Sequence, residues 1–491
     1  MIKKIFLLIT IGFEITMAQK IDLAQNLYSN YEIYLENRIT NRRFKQSDII
    51  PLINEVKRKG IFSVEKAGQS VGGKDIYLLS IGRGKSKVFL WSQMHGDEPT
   101  ATMALFDVFN FFQVNDGLDS IKKTILDNLT IFFLPMVNPD GAEIYQRRND
   151  FEIDINRDVM RQQTPEGIIL RKTFEKLKPD FGFNLHDQNT RYSVENSFKS
   201  AAISFLAPAV DYEKSIDSVR ENSMKLIGEL YETLTHFIPG HIAKYGDDYE
   251  PRAFGDNFQK WGASTVLIET GGWKGDTEKQ FLRKINFMTF ISAFYSIASR
   301  TYKHESTKIY DQIPKNAEYI FDLVLRNLKY RNDGKEILVD VGINRTENNY
   351  NEAKEFYYSS KVEDLGDLSV FFGYEDFDLR GYELHQGKTY PKELNSMNEI
   401  NKLDFTTLYK QGYTSVILKS KSNGKPFTNL PINIKLKTEK KSTSNKKLLN
   451  HNPNFIIKKN SDVHYAVING FIVGVKSSFG KVLNGLVQQN F

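Results

Sequence analysis

Between Val88 and Ser299 the chain repeats one arrangement, a short apolar run followed by a longer helical segment. The runs are Val88–Trp91, Leu129–Val137, Phe181–His186 and Ser264–Glu269; the segments are Pro99–Phe112, Thr164–Leu177, Tyr212–His236 and Thr277–Ser299. Apolar runs of strand length set between long helices imply strands buried on both faces, hence an α/β fold whose mixed sheet is covered by helices on both sides. In such sheets functional side chains collect where strands run out into loops. His95, His186 and Glu269 each stand at that place.

The 491 residues exceed one ordinary core, so more than one domain is expected. Past about His304 the texture changes. Asn332-Asp333-Gly334 turns between the runs Tyr319–Tyr330 and Glu336–Asn344, and Thr414–Lys419 and Pro431–Leu436 also read as short strands. The expected division is a catalytic domain over 19–303 and a β-rich C-terminal accessory region over 304–491. The lysine-rich stretch from Lys435 to Lys447 reads as a solvated loop, with contact to an anionic surface as the alternative.

At the other end, Met1-Ile2-Lys3-Lys4, an apolar run from Ile5 to Phe13, and Thr16-Met17-Ala18 before Gln19 form the pattern of a secretory signal peptide over 1–18. A buried first helix is the alternative. The expectation is a secreted or periplasmic protein with no transmembrane segment. Cysteine is absent, which removes disulfides, thiolate metal sites, cysteine nucleophiles and a lipidated-cysteine anchor together. The net charge of +6 is small for this length, and without a recognition-helix or finger pattern it gives no ground for nucleic acid as a partner.

Two imidazoles and a carboxylate, each at a strand end, make the ligand set of a catalytic zinc site with one position left for water. His95 and Glu98 have the spacing of a turn rather than of one helical face, and Gly96 between them permits a tight bend. Taken alone, such a pair is more often a surface histidine beside a glutamate. Its weight comes from motifs further along the chain.

Asn138-Pro139-Asp140-Gly141, Arg147-Arg148-Asn149, Asp154-Ile155-Asn156-Arg157-Asp158, Leu185-His186 and Leu267-Ile268-Glu269-Thr270-Gly271-Gly272 stand in that order. The series resembles the successive motifs of the zinc carboxypeptidases of the M14 family, over roughly Ser63 to Ser299. The resemblance implies a mixed sheet of about eight strands with helices on both faces. It also implies one zinc ion held by His95, Glu98 and His186, with Glu269 as the general base and acid. Arg147 matches the arginine that stabilises the oxyanion, chosen over Arg148 because the related arginine stands two residues before an asparagine, here Asn149. Asn156 and Arg157 match the pair that holds a substrate's terminal carboxylate. Asp154 matches the aspartate that accepts a hydrogen bond from a zinc-ligating histidine.

The chemistry is coherent: zinc lowers the pKa of bound water toward ~7 and polarises a carbonyl, while a nearby carboxylate moves the proton. A fixed guanidinium suits developing negative charge, and a second one can grip both oxygens of a carboxylate. The implied activity is removal of the C-terminal residue from peptides with a free C-terminus. Two alternatives remain. One is a zinc deacylase of the related aspartoacylase-like type, acting on N-acyl amino acids; the other is a catalytically silent binding protein on the same fold. Either Tyr245 or Tyr249 matches the family's mobile tyrosine. Asp256 would favour a basic side chain in the specificity pocket and Phe254 an apolar one. His236, His241, His304, His385, His451 and His464 read as surface or capping residues. The C-terminal region contains nothing that argues for an activity, and contact with a cell wall or surface is its expected use.

Overall fold

The structure, a computed structural model, describes residues 20–332, 334–419, 424–437 and 447–488. The signal-peptide reading of 1–18 and positions 438–446 of the lysine-rich stretch lie outside the described residues.

The chain divides into two compact units: residues up to Glu195 with Lys199–Glu318, and Asn196–Phe198 with Tyr319 onward. The division falls beyond the expected 303/304 position for a physical reason. Lys20 bridges Glu229 and Glu305 at 3.1 and 3.2 Å, Lys244 pairs with Lys315, and Asn316–Ala317 forms a two-stranded ladder with Ser193–Val194. The segment after His304 is therefore built into the first unit.

In the first unit the strands are β1 (Ser63–Gln69), β2 (Asp75–Gly82), β3 (Ser86–Ser92), β4 (Leu129–Leu134), β5 (Phe181–Asp187), β6 (Ile203–Leu206), β7 (Ile242–Lys244) and β8 (Ser264–Thr270). They form one eight-stranded sheet in the order β1-β2-β4-β3-β5-β8-β6-β7. The four central strands β4, β3, β5 and β8 run parallel. Antiparallel pairing at β1–β2, β2–β4 and β6–β8 makes the sheet mixed. The helices are α1 (Gln46–Lys59), α2 (Thr100–Phe111), α3 (Asp119–Asn128), α4 (Pro139–Ile144), α5 (Pro165–Leu177), α6 (Ser218–Thr235), α7 (Phe254–Lys260), α8 (Gln280–Ser299) and α9 (Thr307–Gln312), preceded by a helical segment over residues 20–29.

Alternation along the central strands sorts their side chains into two cores. Val88 and Leu90 of β3, Phe183 and Leu185 of β5, and Val266 and Ile268 of β8 pack with residues of α2, α6 and α8. Phe89 and Trp91 face the opposite way, toward Leu170 and Phe174 of α5 and Phe254 and Phe258 of α7; Trp91 and Phe258 have ring centroids 4.5 Å apart. Each such side chain contributes on the order of 1.5–3 kcal/mol of burial free energy. The α8 helix is buried almost all round, as expected of a helix without a polar face. Among the described residues no helix is long and apolar enough to cross a membrane.

The second unit has its own core, centred on Leu323, Leu325, Val341, Ile343, Ile457 and Val467. Strands Ile320–Asn332 and Lys335–Tyr350 pair antiparallel with Asn332 opposite Lys335, where the Asn-Asp-Gly turn was expected. They belong to an eight-stranded sheet, and a second sheet has five strands in which Tyr413–Leu418 and Asn433–Leu436 run parallel. This region is β-rich, in agreement with its sequence.

Candidate active site

Three chain segments meet at the ends of β3, β5 and β8. Asn138, the N-cap of α4, arranges the first of them: its Oδ1 accepts from the Gly141 amide at 2.8 Å, while its Nδ2 donates to the carbonyls of Met94 and Arg147 at 3.3 Å each. One side chain thus joins the His95 loop to the segment carrying Arg147. Gly96 is required here for a reason other than the expected bend. Its φ is not positive, but a Cβ would lie 2.0 Å from the Gly141 carbonyl carbon.

Register brings the rest together. His186 of β5 stands opposite Glu269 of β8, so both project from the same face, while Asp187 and Thr270 project from the other. Glu98 lies between the two histidines: its Oε1 is 2.8 Å from His95 Nδ1 and its Oε2 2.7 Å from His186 Nδ1. All three residues are buried, and their ligand atoms lie within 4.8 Å of one another.

The donor set fits a divalent cation. His95 Nε2 is 3.1 Å from Asp154 Oδ1; donation of the Nε2 proton there leaves the Nδ1 lone pair directed at a carboxylate oxygen. Two electron-rich atoms facing each other in a buried space suit a shared positive ion, and two imidazoles with one carboxylate suit zinc. Burial disfavours a proton on His95, but Glu98 and the bond to Asp154 outweigh it and hold the metal-free imidazole's pKa up at about 9. Burial alone would raise Glu98, yet the two histidines hold its carboxyl well below the usual range.

Glu269 behaves in the opposite way. Burial and then the Glu98 carboxylate push it well above the ordinary glutamate value. A carboxyl displaced upward beside one held down is the pattern of groups with divided acid and base duties.

Arg147 reaches into this cluster. Its Nε donates to Asp154 Oδ2 at 3.0 Å, and its Nη1 lies 3.1 Å from His95 Nδ1 and donates to Glu98 Oε1 at 3.3 Å. Arg148 turns away, donating to the Glu152 carbonyl at 2.8 Å. Asp154 caps a single 3₁₀ turn, Ile155–Arg157, by accepting from the Asn156 amide at 2.9 Å. Asn156 is buried and its Oδ1 accepts from the Phe254 amide at 2.9 Å, whereas Arg157 is exposed with its Nε 3.4 Å from Glu250 Oε2.

The structure separates residues that the sequence leaves as alternatives. Burial and then Glu269 raise the phenol pKa of Tyr245, with Glu98 adding to the effect, so its hydroxyl shares the field of the cluster. Tyr249 packs edge-on against Tyr212 and under Lys260. The Phe254 ring belongs to the core with Trp91 and Phe258. The Asp256 carboxylate accepts from the Glu250 amide at 3.0 Å and is pushed up to about 6 by burial.

Sequence reading did not single out Asp187, Thr100 and Lys279, which contact one another next to the residues of the site. The one available signal was an acidic residue next to a strand-end histidine in an otherwise apolar run.

A His–Glu–His cluster at parallel strand ends, with a buried carboxylate in register beside it, is a group that could hold a metal ion. The model of the zinc carboxypeptidase family, Peptidase M14, matches residues 51–250. Glu269 lies beyond the matched segment. The chain is 30% identical over 104 residues to carboxypeptidase SOL1 of Arabidopsis thaliana, covering 20% of this chain and 21% of the relative. To carboxypeptidase 2 of Trichophyton rubrum it is 25% identical over 150 residues, covering 30% and 27%. It therefore spans only about a fifth to a quarter of the length of these curated relatives. A solved metallo-carboxypeptidase from Burkholderia cenocepacia aligns with 16% identity and a TM-score of 0.44 over 52% of this chain and 70% of that one.

Proposed function

We propose that this protein is a zinc-dependent metallocarboxypeptidase that removes the C-terminal residue from peptides, with one zinc ion held by His95, Glu98 and His186. The observation that carries this reading is the convergence of both Nδ1 atoms on the Glu98 carboxylate, with Glu269 in register beside His186. Bound zinc would polarise the scissile carbonyl and lower the pKa of water toward ~7.

The chain's own residues supply the rest. Glu269, fixed on a buried strand, takes the proton of the attacking water and passes it to the leaving amine. Arg147 offers a guanidinium to the oxyanion. Asn156 and Arg157 orient the terminal carboxylate. Asp154 holds His95 in the Nε2–H tautomer.

Metal analysis of purified protein, with turnover of an N-blocked dipeptide bearing a free C-terminus and of N-acyl amino acids, tests the reading. One zinc per chain with cleavage of the dipeptide supports it. Cleavage of N-acyl amino acids alone assigns the deacylase alternative, and absence of stoichiometric zinc the silent binding protein. Export through residues 1–18 and contact of the C-terminal unit with a cell surface belong to the same proposal. Fractionation of the producing cell, and binding of the full chain to isolated cell walls, check them.

A further inference from the structure

The cluster of His95, Glu98, His186 and Glu269 rests on a second, buried polar cluster that no catalytic step uses. Asp187 and Lys279 are almost wholly buried, and their ion pair measures 3.1 Å between Oδ2 and Nζ. The same Oδ2 accepts from Thr100 Oγ1 at 2.6 Å, and the Lys279 ammonium also donates to the Thr270 carbonyl at 3.2 Å. The Asp187 amide donates to Glu98 Oε2 at 3.2 Å.

Each of these partners adjoins a residue of the site. Asp187 follows His186, and Thr270 follows Glu269. Thr100 opens α2, two residues after Glu98, and Lys279 is the N-cap of α8 with φ of 52°. The four groups therefore join the segments carrying Glu98, His186 and Glu269 from the face opposite the site. A lysine is suited to this junction because its ammonium has three donors and no acceptor, so it can bind a carboxylate and a carbonyl together. It also places a positive charge against the Asp187 carboxylate.

The geometry points to Lys279 as a positioning residue of the metal site: by bridging Asp187 and the Thr270 carbonyl it fixes His186 and Glu269 relative to Glu98. This rests on the zinc reading and goes beyond it, since Lys279 touches neither the metal donors nor Glu269.

Zinc affinity, measured on full-length wild type, Lys279→Met, Lys279→Arg and Thr100→Val by competition with a chromophoric chelator, tests the assignment. Thermal unfolding of each metal-free protein is recorded alongside, with kcat and KM of the zinc-loaded forms. Supporting residues of this kind change metal affinity by about 10–100-fold. Lys279→Met is expected to lose zinc affinity in that range and to lose kcat with little change in KM. Lys279→Arg is expected to recover part of the loss, and Thr100→Val to show a smaller one. A folded Lys279→Met protein with wild-type zinc affinity and kcat overturns the assignment. Should Lys279→Met fail to fold, Thr100→Val decides, because it removes one hydrogen bond to Asp187 at nearly constant volume, and wild-type affinity there overturns the assignment. A wild type that binds no zinc would instead remove the reading on which the assignment rests.

Discussion

Glu250 engages Arg157 across 3.4 Å, so a carboxylate of the chain itself sits on the guanidinium proposed to receive the substrate's terminal carboxylate. Arg252 holds the same Glu250 through Nε and Nη2 at 2.9 and 2.7 Å. The Arg252 hydrogen bonds, against some burial and helped by the Arg157 charge, keep the Glu250 carboxyl at about 2, so it stays ionised through the neutral range.

Glu250→Ala removes this intramolecular competitor. Arg157 should then bind the terminal carboxylate more tightly, and KM for peptides with a free C-terminus should fall several-fold with kcat nearly unchanged. The partners are partly exposed, so stability should change by less than about 1 kcal/mol. Steady-state kinetics on a free-acid peptide and its C-terminal amide measure the effect; a fall confined to the amide would exclude Arg157 as the carboxylate partner.

Glu269→Gln keeps the shape of the site but removes the proposed proton carrier. The expected loss is about 10²–10⁴-fold in kcat. Zinc content should match the wild type, because Glu269 is not in the donor set of His95, Glu98 and His186. Loss of zinc in this variant would make Glu269 a ligand instead.

The two adjacent arginines should differ sharply. Arg147→Ala should cost about 10²–10³-fold in kcat if its charge meets the oxyanion. Arg148→Ala removes only a bond to the Glu152 carbonyl and should stay close to wild type. A reversed pattern would transfer the role to Arg148.

For the metal-free protein, His95 sets the sign of a pH effect. Its folded pKa of about 9 lies above its ordinary value, so the native state binds the extra proton more tightly than the unfolded chain. The stabilisation is complete below the ordinary histidine pKa of ~6.5 and declines as pH rises through about 9. Zinc must displace that proton, so its affinity should increase with pH over the same window. Thermal unfolding with chelator present and zinc titrations from pH 6 to 10 read the two opposed slopes; a His95→Gln protein should lose the first.

Arg283 on α8 is fully buried against Asp107 on α2, with contacts of 2.5 and 2.7 Å, and donates to the carbonyls of Ile39 and Glu36. Arg283→Met would strand the Asp107 charge and should destabilise the fold by about 3–5 kcal/mol, visible in denaturant unfolding. Pairing it with Asp107→Asn should recover part of the loss.

The central strands of the first unit are legible in the sequence because Val88–Trp91, Phe181–His186 and Ser264–Glu269 are apolar at nearly every position, as strands covered on both sides must be. Ile203–Leu206 and Ile242–Lys244 escape notice because four and three residues are too few to show a period. The α1 helix is obscured by Pro51 within it and by its charged C-terminal turn, Lys57-Arg58-Lys59. At the site, residues within compact motifs can be found from order and spacing. Lys279 cannot, because nothing local marks a lysine 92 positions from the aspartate it pairs with. Nor does spacing reveal that Glu250 would reach Arg157.

The placement of β8 has a consequence for the newborn chain. Residues 264–270 insert between β5 and the already synthesised β6, so β6 and β7 have no sheet to join until nearly 270 residues have been translated. Domains generally fold as the N-terminal part emerges first. Here the early strands can pair β1 through β5 and gather His95, Glu98 and His186, but Glu269 arrives with the strand that closes the gap. A centre assembled in this order is incomplete until β8 is translated, and a chain broken off before β8 lacks Glu269.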